Sequence, residues 1–479
     1  MTKKSLFNRN RASNGRTLPA LWLCACLALL GLLLAPLAQA RLPGPPEGWE
    51  GHTRVRDLAA VRASGQLRVL VNQSRNSSGE VRGEPIGVEY RRLRAFEQYL
   101  NRGARDGREV RLKLIPLPKE QLLPALLRGE GDLVAPGELL AVRRGQAVSA
   151  SAPLLARVPL VVVSRQGNRR YATLEQLAGR SLALPAGSAA REALQGFNAG
   201  RKTPIVADWL DPSLAVEDVL EMVQAGILPM TAVELPIAER WARVWPKLRI
   251  DRHLQLATEG GMHWFVHREA PNLRAGIDRF LREYRAPANQ DAAFQRVYRR
   301  LYKVHNPLGR VELQRLARVR ATLMSHARAA DLDWLLLAAL AFKESTLNPA
   351  ARGAGGATGL LQITPAAARS VGVHNHASLD GNVQAGTRYL AMLRRRFFAS
   401  SQLNERERMA FVLAAYNLGP QRVQSLRAEA RRRGLNPNQW FFQVERVAAE
   451  RHGMGVVSYV NSINKYQLAF ARERYRLEP

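Results

Sequence analysis

Apolar residues follow two different rhythms along this 479-residue chain. From about Gly65 to Tyr284, short β-rich runs alternate with helix-period segments. The runs include Leu67-RVLV-Asn72, Val110-RLKLI-Pro116, Asp132-LVA, Val158-PLVVV-Ser164 and Ser181-LAL-Pro185. Between them lie the amphipathic stretch Glu89–Leu100 and a helix-like stretch from Lys119 to Arg128, interrupted by Pro124. A proline inside a helix removes a hydrogen bond, so the pattern alone leaves that second helix open. Strand and helix in alternation predict an α/β region built from βα units. From about Asn306 onward only helix-period segments remain, separated by Gly, Pro and Asn, which predicts a mainly α region. The expected fold class is therefore α/β plus mainly α, with the change between Tyr284 and Pro307. Neither an internal repeat nor a low-complexity tract interrupts it.

The first 40 residues follow another pattern. Lys3, Lys4, Arg9, Arg11 and Arg16 precede an apolar stretch from Leu18 to Leu37, and Ala38-Gln39-Ala40 ends it as a small-x-small site. These are the parts of an export signal cleaved after Ala40. The stretch is also long enough to span a bilayer as an uncleaved anchor. A third option is lipidation at Cys26, although the apolar run continues well past it. The chain then divides as 1–40 signal, 41–300 α/β region and 301–479 helical region.

Export changes the meaning of the composition. Both cysteines, Cys24 and Cys26, lie in the signal, so the mature chain has no disulfide and no cysteine metal site. The formal charge of +31 falls to +26 without the five basic residues of the signal. Such an excess attracts polyanions. Beyond the inner membrane those are anionic cell wall and lipid head groups rather than nucleic acid, so a soluble or peripheral protein is expected.

The candidate chemistry centres on Glu344. It follows the apolar run Trp334-LLLAALA-Phe342 and precedes Ser345 and the loop Gly353-AGGAT-Gly359. A carboxylate at the end of a buried helix is desolvated, which raises its pKa toward the range a general acid needs. A solvated helix-end glutamate is the plain alternative. Glycines in the loop allow backbone to approach a ligand closely. The loop runs into Leu360-Leu361-Gln362-Ile363. Then Leu379-Asp380-Gly381-Asn382 precedes Gly386-TRYLAML, a helix expected to carry an Asp or Asn cap. A helix from about Glu405 ends at Leu413-AAYNLG-Pro420, and Gly455-VVSYVNSINK-Tyr466 forms another.

Glu-Ser, Gly-x-x-Gly-Leu-Leu-Gln, Ala-Tyr-Asn-x-Gly-Pro and a late Tyr-Val, in that order from Val311 to Tyr466, resemble the lysozyme-like domain of the soluble-lytic-transglycosylase type. Leu361 stands where that family often has methionine. The α/β region resembles the family-3 periplasmic solute-binding domains. The resemblance rests on Gly65-QLRVLV, Gly87-Val88-Glu89-Tyr90, Leu126-LRGEGDLV-Ala135, Ser151-Ala152-Pro153 and Leu177-AGRSLALPAG-Ser188. Together they make the chain similar to the membrane-bound lytic murein transglycosylases of the F type. That resemblance implies Glu344 as acid and base, oriented by Ser345. It implies substrate contacts from Gln362, the backbone near Leu361, Tyr416 and Asn417, with Tyr459 near the catalytic carboxyl. In the α/β region it implies Arg144, seven residues before Ser151 and beside Arg143, for a ligand carboxylate. Glu234, after Gly226-ILPMTAV, would take the ligand amine, although Leu228-Pro229 departs from the family pattern there.

Glycosidases usually place two carboxylates roughly 5–10 Å apart. No Asp or Glu lies between Ser345 and Leu379. Asp333 starts the Glu344 helix, about 16 Å away at 1.5 Å per residue. A single-carboxylate scheme fits this pattern, and the resemblance supplies its chemistry. The bond between N-acetylmuramic acid and N-acetylglucosamine is cleaved without water, leaving a 1,6-anhydro end. The resemblance also implies a site peripheral to the outer membrane, and a muropeptide or amino-acid ligand for the α/β region. No metal or cofactor is called for, and His374 and His376 lack a third ligand at useful spacing. A hydrolytic lysozyme and a non-catalytic wall receptor are the competing readings.

Overall fold

The computed structural model describes residues 55–478, apart from 76–78, 82–83, 105–107, 144, 258–259 and 302–304. The export signal, Cys24 and Cys26 lie outside the described residues. In chain order the mixed region contains α1 (Leu58–Ser64), β1 (Gln66–Asn72), α2 (Val88–Leu100), β2 (Arg111–Leu117), α3 (Leu122–Leu127), β3 (Leu133–Ala135) and β4 (Val148–Ala150). It continues with β5 (Leu160–Arg165), β6 (Ser181–Leu184), α4 (Ala190–Asn198), β7 (Val206–Trp209), α5 (Val216–Ala225), β8 (Met230–Glu234), α6 (Leu235–Ala242), β9 (Leu248–Ala257) and β10 (Phe265–His267). Only helices of this length follow among the described residues: α7 (Pro271–Glu283), α8 (Gln290–Leu301), α9 (Arg310–Ala329), α10 (Trp334–Ser345), α11 (Pro365–Ser370), α12 (Leu379–Phe397), α13 (Glu405–Leu418), α14 (Pro420–Arg432), α15 (Glu445–His452) and α16 (Met454–Arg472).

The strands build two lobes. In the first, the order is β2-β1-β3-β10-β4, with β1 parallel to both β2 and β3 and β10 antiparallel to β3 and β4. The run Leu67 to Asn72 is buried on both faces, as a central parallel strand requires, and its one charge, Arg68, is paired with Asp132 at 2.7 Å. The chain leaves this sheet after β4 and returns to it at β10. Between those points it forms the second lobe, where β5 is central in the antiparallel order β8-β5-β9 beside the parallel pair β6-β7. The two crossing segments run side by side: Leu154 N donates to Met262 O at 2.8 Å, and Met262 N to Leu155 O at 2.9 Å.

Local chemistry explains the departures from the sequence pattern. The stretch from Lys119 is a short 3₁₀ turn over Lys119–Gln121 followed by α3, so Pro124 falls in the first turn of its helix. There its missing N–H forfeits no intrahelical bond. α12 is capped by Ser378, whose Oγ accepts from Gly381 N at 3.1 Å, not by an Asp or Asn. Asp380 sits in the first turn, where it pairs with His326 Nε2 at 2.8 Å. A negative charge there also complements the helix dipole.

Residues Glu50–Pro479 form one compact unit. α7 closes the first lobe, burying Leu273, Ile277 and Phe280 against Phe96 and Trp264. α8 packs on the second lobe, with Phe294 and Tyr298 at 4.7 and 4.8 Å from the Trp241 ring. From there a single apolar core runs through α10, α13 and α16. α10 is buried from Trp334 to Phe342 on every side, so it is the central helix of its region. Its start is fixed by Asp333, which accepts from Leu335 N.

Two buried carboxyls carry a pH signature. Glu407 accepts from Trp440 N at 2.6 Å, and burial pushes its pKa up to about 7. Glu217 is raised to about 7 by burial and by neighbouring Asp218. Both folded-state values stand above the ordinary 4.5, so the folded chain holds more protons between those limits. Stability should be greatest below about pH 4.5 for these two groups and fall as pH rises through 7. Glu407→Gln keeps an acceptor for Trp440 N and should flatten that fall in calorimetric midpoints measured from pH 5 to 8. An unchanged slope would remove Glu407 from the account.

Candidate active site

The last turn of α10 brings Glu344 to the rim of the apolar core. Its side chain is largely buried, and its pKa is raised, first by desolvation. Tyr459 of α16 donates its hydroxyl hydrogen bond to Glu344 Oε1. That bond and the charge of Lys343 act in the opposite direction without cancelling the burial. Tyr459 and Tyr416 are both held well above the ordinary phenol range by burial and by the Glu344 charge, so both remain hydroxyl donors. Lys343 lies 6.0 Å from the Tyr459 ring centre, and burial lowers its pKa. Among the described residues, no second carboxylate is among the groups that shift Glu344.

The segment after the glycine loop is tied to the end of α10 through Ser345 and to α13 through Tyr416. α10 ends with Thr346 and Leu347 at φ of 54° and 59°, a left-handed turn that throws the chain away from the helix axis. Ser345 bridges helix end and loop: its Oγ donates to Ala341 O or Leu360 O, at 3.0 and 2.8 Å, and accepts from Asn348 N. All three of these Ser345 bonds go to backbone, and none goes to Glu344. Leu361 is the fixed point of the loop. Its N–H donates to Asn382 Oδ1 at 2.9 Å, its carbonyl accepts from Tyr416 at 2.8 Å, and its side chain is fully buried. Gln362, at φ 47°, turns its amide back to Gly359 O at 2.8 Å and Ala351 O at 3.2 Å. Tyr416 also meets Tyr389 edge-on at 5.7 Å, and Asn417 is exposed beside it in the last turn of α13.

The structure thus gathers Glu344, Tyr459, Tyr416 and the Leu361–Gln362 turn around one point. Asn382 was missed by the sequence reading. It is buried in α12, and besides holding Leu361 N it donates to Thr358 O at 2.8 Å and His376 O at 3.0 Å. Gly359, at φ 77°, passes directly over this amide, where a Cβ would collide with it. Asp331 and Asp333 are engaged elsewhere: Asp331 with Arg394 at 3.1 Å, and Asp333 with the start of α10 and with Arg474 at 3.0 Å. Among the described residues no group of three or more His, Cys, Asp or Glu is placed to hold a metal ion.

In the α/β region, Arg144 lies outside the described residues, and Arg143 is exposed with its N–H on Gln146. Glu234 is buried at the end of β8, where it accepts from Leu139 N at 2.9 Å. Lys119 Nζ stands 3.9 Å from Glu234 and 3.0 Å from Glu138, and Asn72 donates to Glu138 at 2.7 Å. An internal ammonium therefore faces Glu234, and neither Lys119 nor Glu138 stood out in the sequence.

Residues 323–439 match the family model described as Transglycosylase SLT domain. Over most of its length the chain is similar to proteins named membrane-bound lytic murein transglycosylase F. It is 28% identical over 395 residues to that of Desulfosudis oleivorans, covering 81% of this chain and 83% of the relative. It is 26% identical over 461 residues to that of Cronobacter sakazakii, covering 92% and 85%. Among solved structures, an amino acid ABC transporter substrate-binding protein from Streptococcus pneumoniae bound to L-arginine aligns with a TM-score of 0.40 at 15% identity, covering 50% of this chain and 95% of that one.

Asn382 yields a direct test of the loop geometry. Asn382→Ala leaves Leu361 N–H and two carbonyls without their partner, and each such buried group costs about 1–3 kcal/mol. The thermal midpoint should fall by several degrees and catalytic activity by more than the stability loss explains at 25 °C. Retention of both would mean that Tyr416 alone holds the loop.

Proposed function

We propose that this chain, a peptidoglycan lytic transglycosylase by its SLT domain and its relatives, cleaves the β-1,4 bond between N-acetylmuramic acid and N-acetylglucosamine with Glu344 as sole acid and base. The observation that carries the reading is one buried carboxyl of raised pKa, hydrogen-bonded by Tyr459 and without a partner carboxylate acting on it. Protonated Glu344 gives its proton to the glycosidic oxygen as the C1–O bond breaks. The resulting carboxylate takes the proton of the muramic acid C6 hydroxyl as that oxygen bonds to C1. A 1,6-anhydro ring closes, and Glu344 is again protonated. The nucleophile belongs to the substrate, so no positioned water or second carboxylate is required, and proximity favours ring closure. Burial supplies the acid, and the Tyr459 hydroxyl steadies the carboxylate between the two proton transfers.

The other site residues frame the glycan. Ser345, Leu361 and Gln362 set the loop at the cleft edge, and Tyr416 holds that loop from α13 with Asn417 exposed beside it. The region 41–300 acts as a ligand-binding regulatory domain for 301–479, with a muropeptide or an amino acid as its ligand, Glu234 among its contacts and Arg144 as the carboxylate fork. The working place is the periplasm, peripheral to the outer membrane. No helix among the described residues is long and apolar enough to cross a membrane.

Mass spectrometry of purified peptidoglycan digested by residues 41–479 tests the reaction. Anhydromuropeptides are expected from the unaltered chain and none from Glu344→Gln. Reducing-end products would make the enzyme a hydrolase, and equal products from both chains would remove Glu344 from the mechanism. Titrating the same digestion with a purified muropeptide and with single amino acids tests regulation. A saturable change in rate is expected, and a constant rate throughout would refute a regulatory ligand of either class.

A further inference from the structure

α16 is buried nearly throughout from Met454 to Tyr466, and its polar side chains serve two different neighbours. Tyr459 reaches α10 and donates to Glu344. Lys465, one and two-thirds turns further on, reaches the α/β region. Its Nζ stands 2.7 Å from Asp218 Oδ1 and also donates to Glu221 Oε2, both on α5. Beside it, Asn464 donates to Ser213 Oγ at 2.8 Å, and Asn461 donates to Glu445 at 3.3 Å. Arg75, just beyond β1 in the first lobe, joins the same group, with Asp218 at 2.9 Å, Glu445 at 3.0 Å and Glu217 at 3.4 Å. A run of buried charge thus passes from the first lobe through α5 to α16.

Such a cluster fixes position in a way apolar packing does not. Sliding or rotating α16 would separate a buried ammonium from its carboxylates, and an unpaired buried charge costs several kcal/mol. Lys465 and Tyr459 lie about 9 Å apart along one helix at 1.5 Å per residue, too short a length to bend appreciably. Lys343 of α10 feels charges from both ends. It precedes Glu344, and the charges acting on it are Glu344, Glu221 and Lys465.

We propose that Lys465, fastened by Asp218 and Glu221 of the α/β region, is a positioning residue of the transglycosylase site: it sets α16 so that the Tyr459 hydroxyl meets Glu344. The inference rests on Glu344 being the acid and base. The active-site geometry is then completed by the other region of the chain. Facing Lys465 are Asp218 and Glu221 from α5, with Glu217, Arg75 and Glu445 around them, Lys343 from α10 and Tyr466 from its own helix. When α16 shifts, Glu344 loses a donor to its ionised form, so its carboxyl titrates higher. The alkaline limb of the rate profile moves up in pH while turnover falls.

The test is the pH–rate profile of peptidoglycan cleavage by the full chain. The variants are Tyr459→Phe, Lys465→Met, their combination, Lys465→Arg, and the neutral triple change Asp218→Asn, Glu221→Gln, Lys465→Met. Tyr459→Phe and Lys465→Met should each lower kcat about ten- to a hundredfold, the scale of a misplacement of up to about 1 Å, with KM little changed and the alkaline limb displaced upward. The combination should be no worse than the poorer single variant, because both act through one contact. Lys465→Arg should retain the unaltered limb. Should Lys465→Met fail to fold, the triple variant, which leaves no charge orphaned, gives the same reading. Multiplying effects, or the original limb in Lys465→Met and the triple variant, would overturn the proposal. Activity surviving in Glu344→Gln would instead refute the acid and base assignment beneath it.

Discussion

The central helix of the helical region carries one carboxyl group to the rim of the core. An ionised carboxylate is expensive to remove from water, and a neutral one is a poor hydrogen-bond acceptor, so the group must be held where both forms are tolerated. α10 takes Glu344 to the edge of the core on an apolar helix, which supplies the desolvation. Tyr459 supplies one donor, and a hydrogen bond to a charged group contributes about 1.5–3 kcal/mol. The residual shift is upward, so burial outweighs the bond. That balance leaves a carboxyl at the rim of the core with its pKa raised and one hydroxyl donor upon it.

A buried carboxyl is useful only if a substrate atom can reach it, which brings the glycine loop into the same account. Its approach depends on a backbone turn at Leu361, held from two helices at once. Asn382 of α12 takes the N–H and Tyr416 of α13 takes the carbonyl. Gly359 must be glycine because its φ is 77° and the Asn382 amide fills the space of a side chain. The same close packing presses Leu361 onto Gly386 of α12, where again no Cβ fits. The loop is open in sequence and rigid in space, a combination suited to a cleft wall.

Much of this was legible in the sequence, for reasons that are local. The apolar run of α10, the breaker after Leu418 and the parallel-strand run of β1 follow from periodicity and backbone chemistry, and the structure has each in place. What escaped was chosen over distance. Asn382 read as a helix cap because Asp, Gly and Asn favour caps, whereas Ser378 takes that role and frees Asn382 for a loop some twenty residues away. Ser345 read as a partner of Glu344, yet the carbonyls of Ala341 and Leu360 lie within its reach and take its proton. Lys119, Glu138, Asp218 and Lys465 carry no signal of burial in the sequence, because such residues are usually solvated. No spacing rule reveals that widely separated segments bury them together.

Those buried charges also divide the molecule into parts of unequal mechanical character. The second lobe shares one apolar core with the helical region, from β5 through α16. The first lobe has a core of its own, built on β1, α2 and α7. Much of its attachment to the helical region is polar: Arg75 with Glu445, and Gln443 donating to Pro116 O at 2.9 Å. Its polar links to the second lobe include Arg75 with Glu217 and Asp218, and Lys119 with Glu234. Ion pairs at such a junction resist loss of their partners, because a buried charge left unpaired is costly. Asp218 is the residue that holds Lys465. Arg75 and Lys465 thus share Asp218 as a partner, and that carboxylate joins the first lobe to α16.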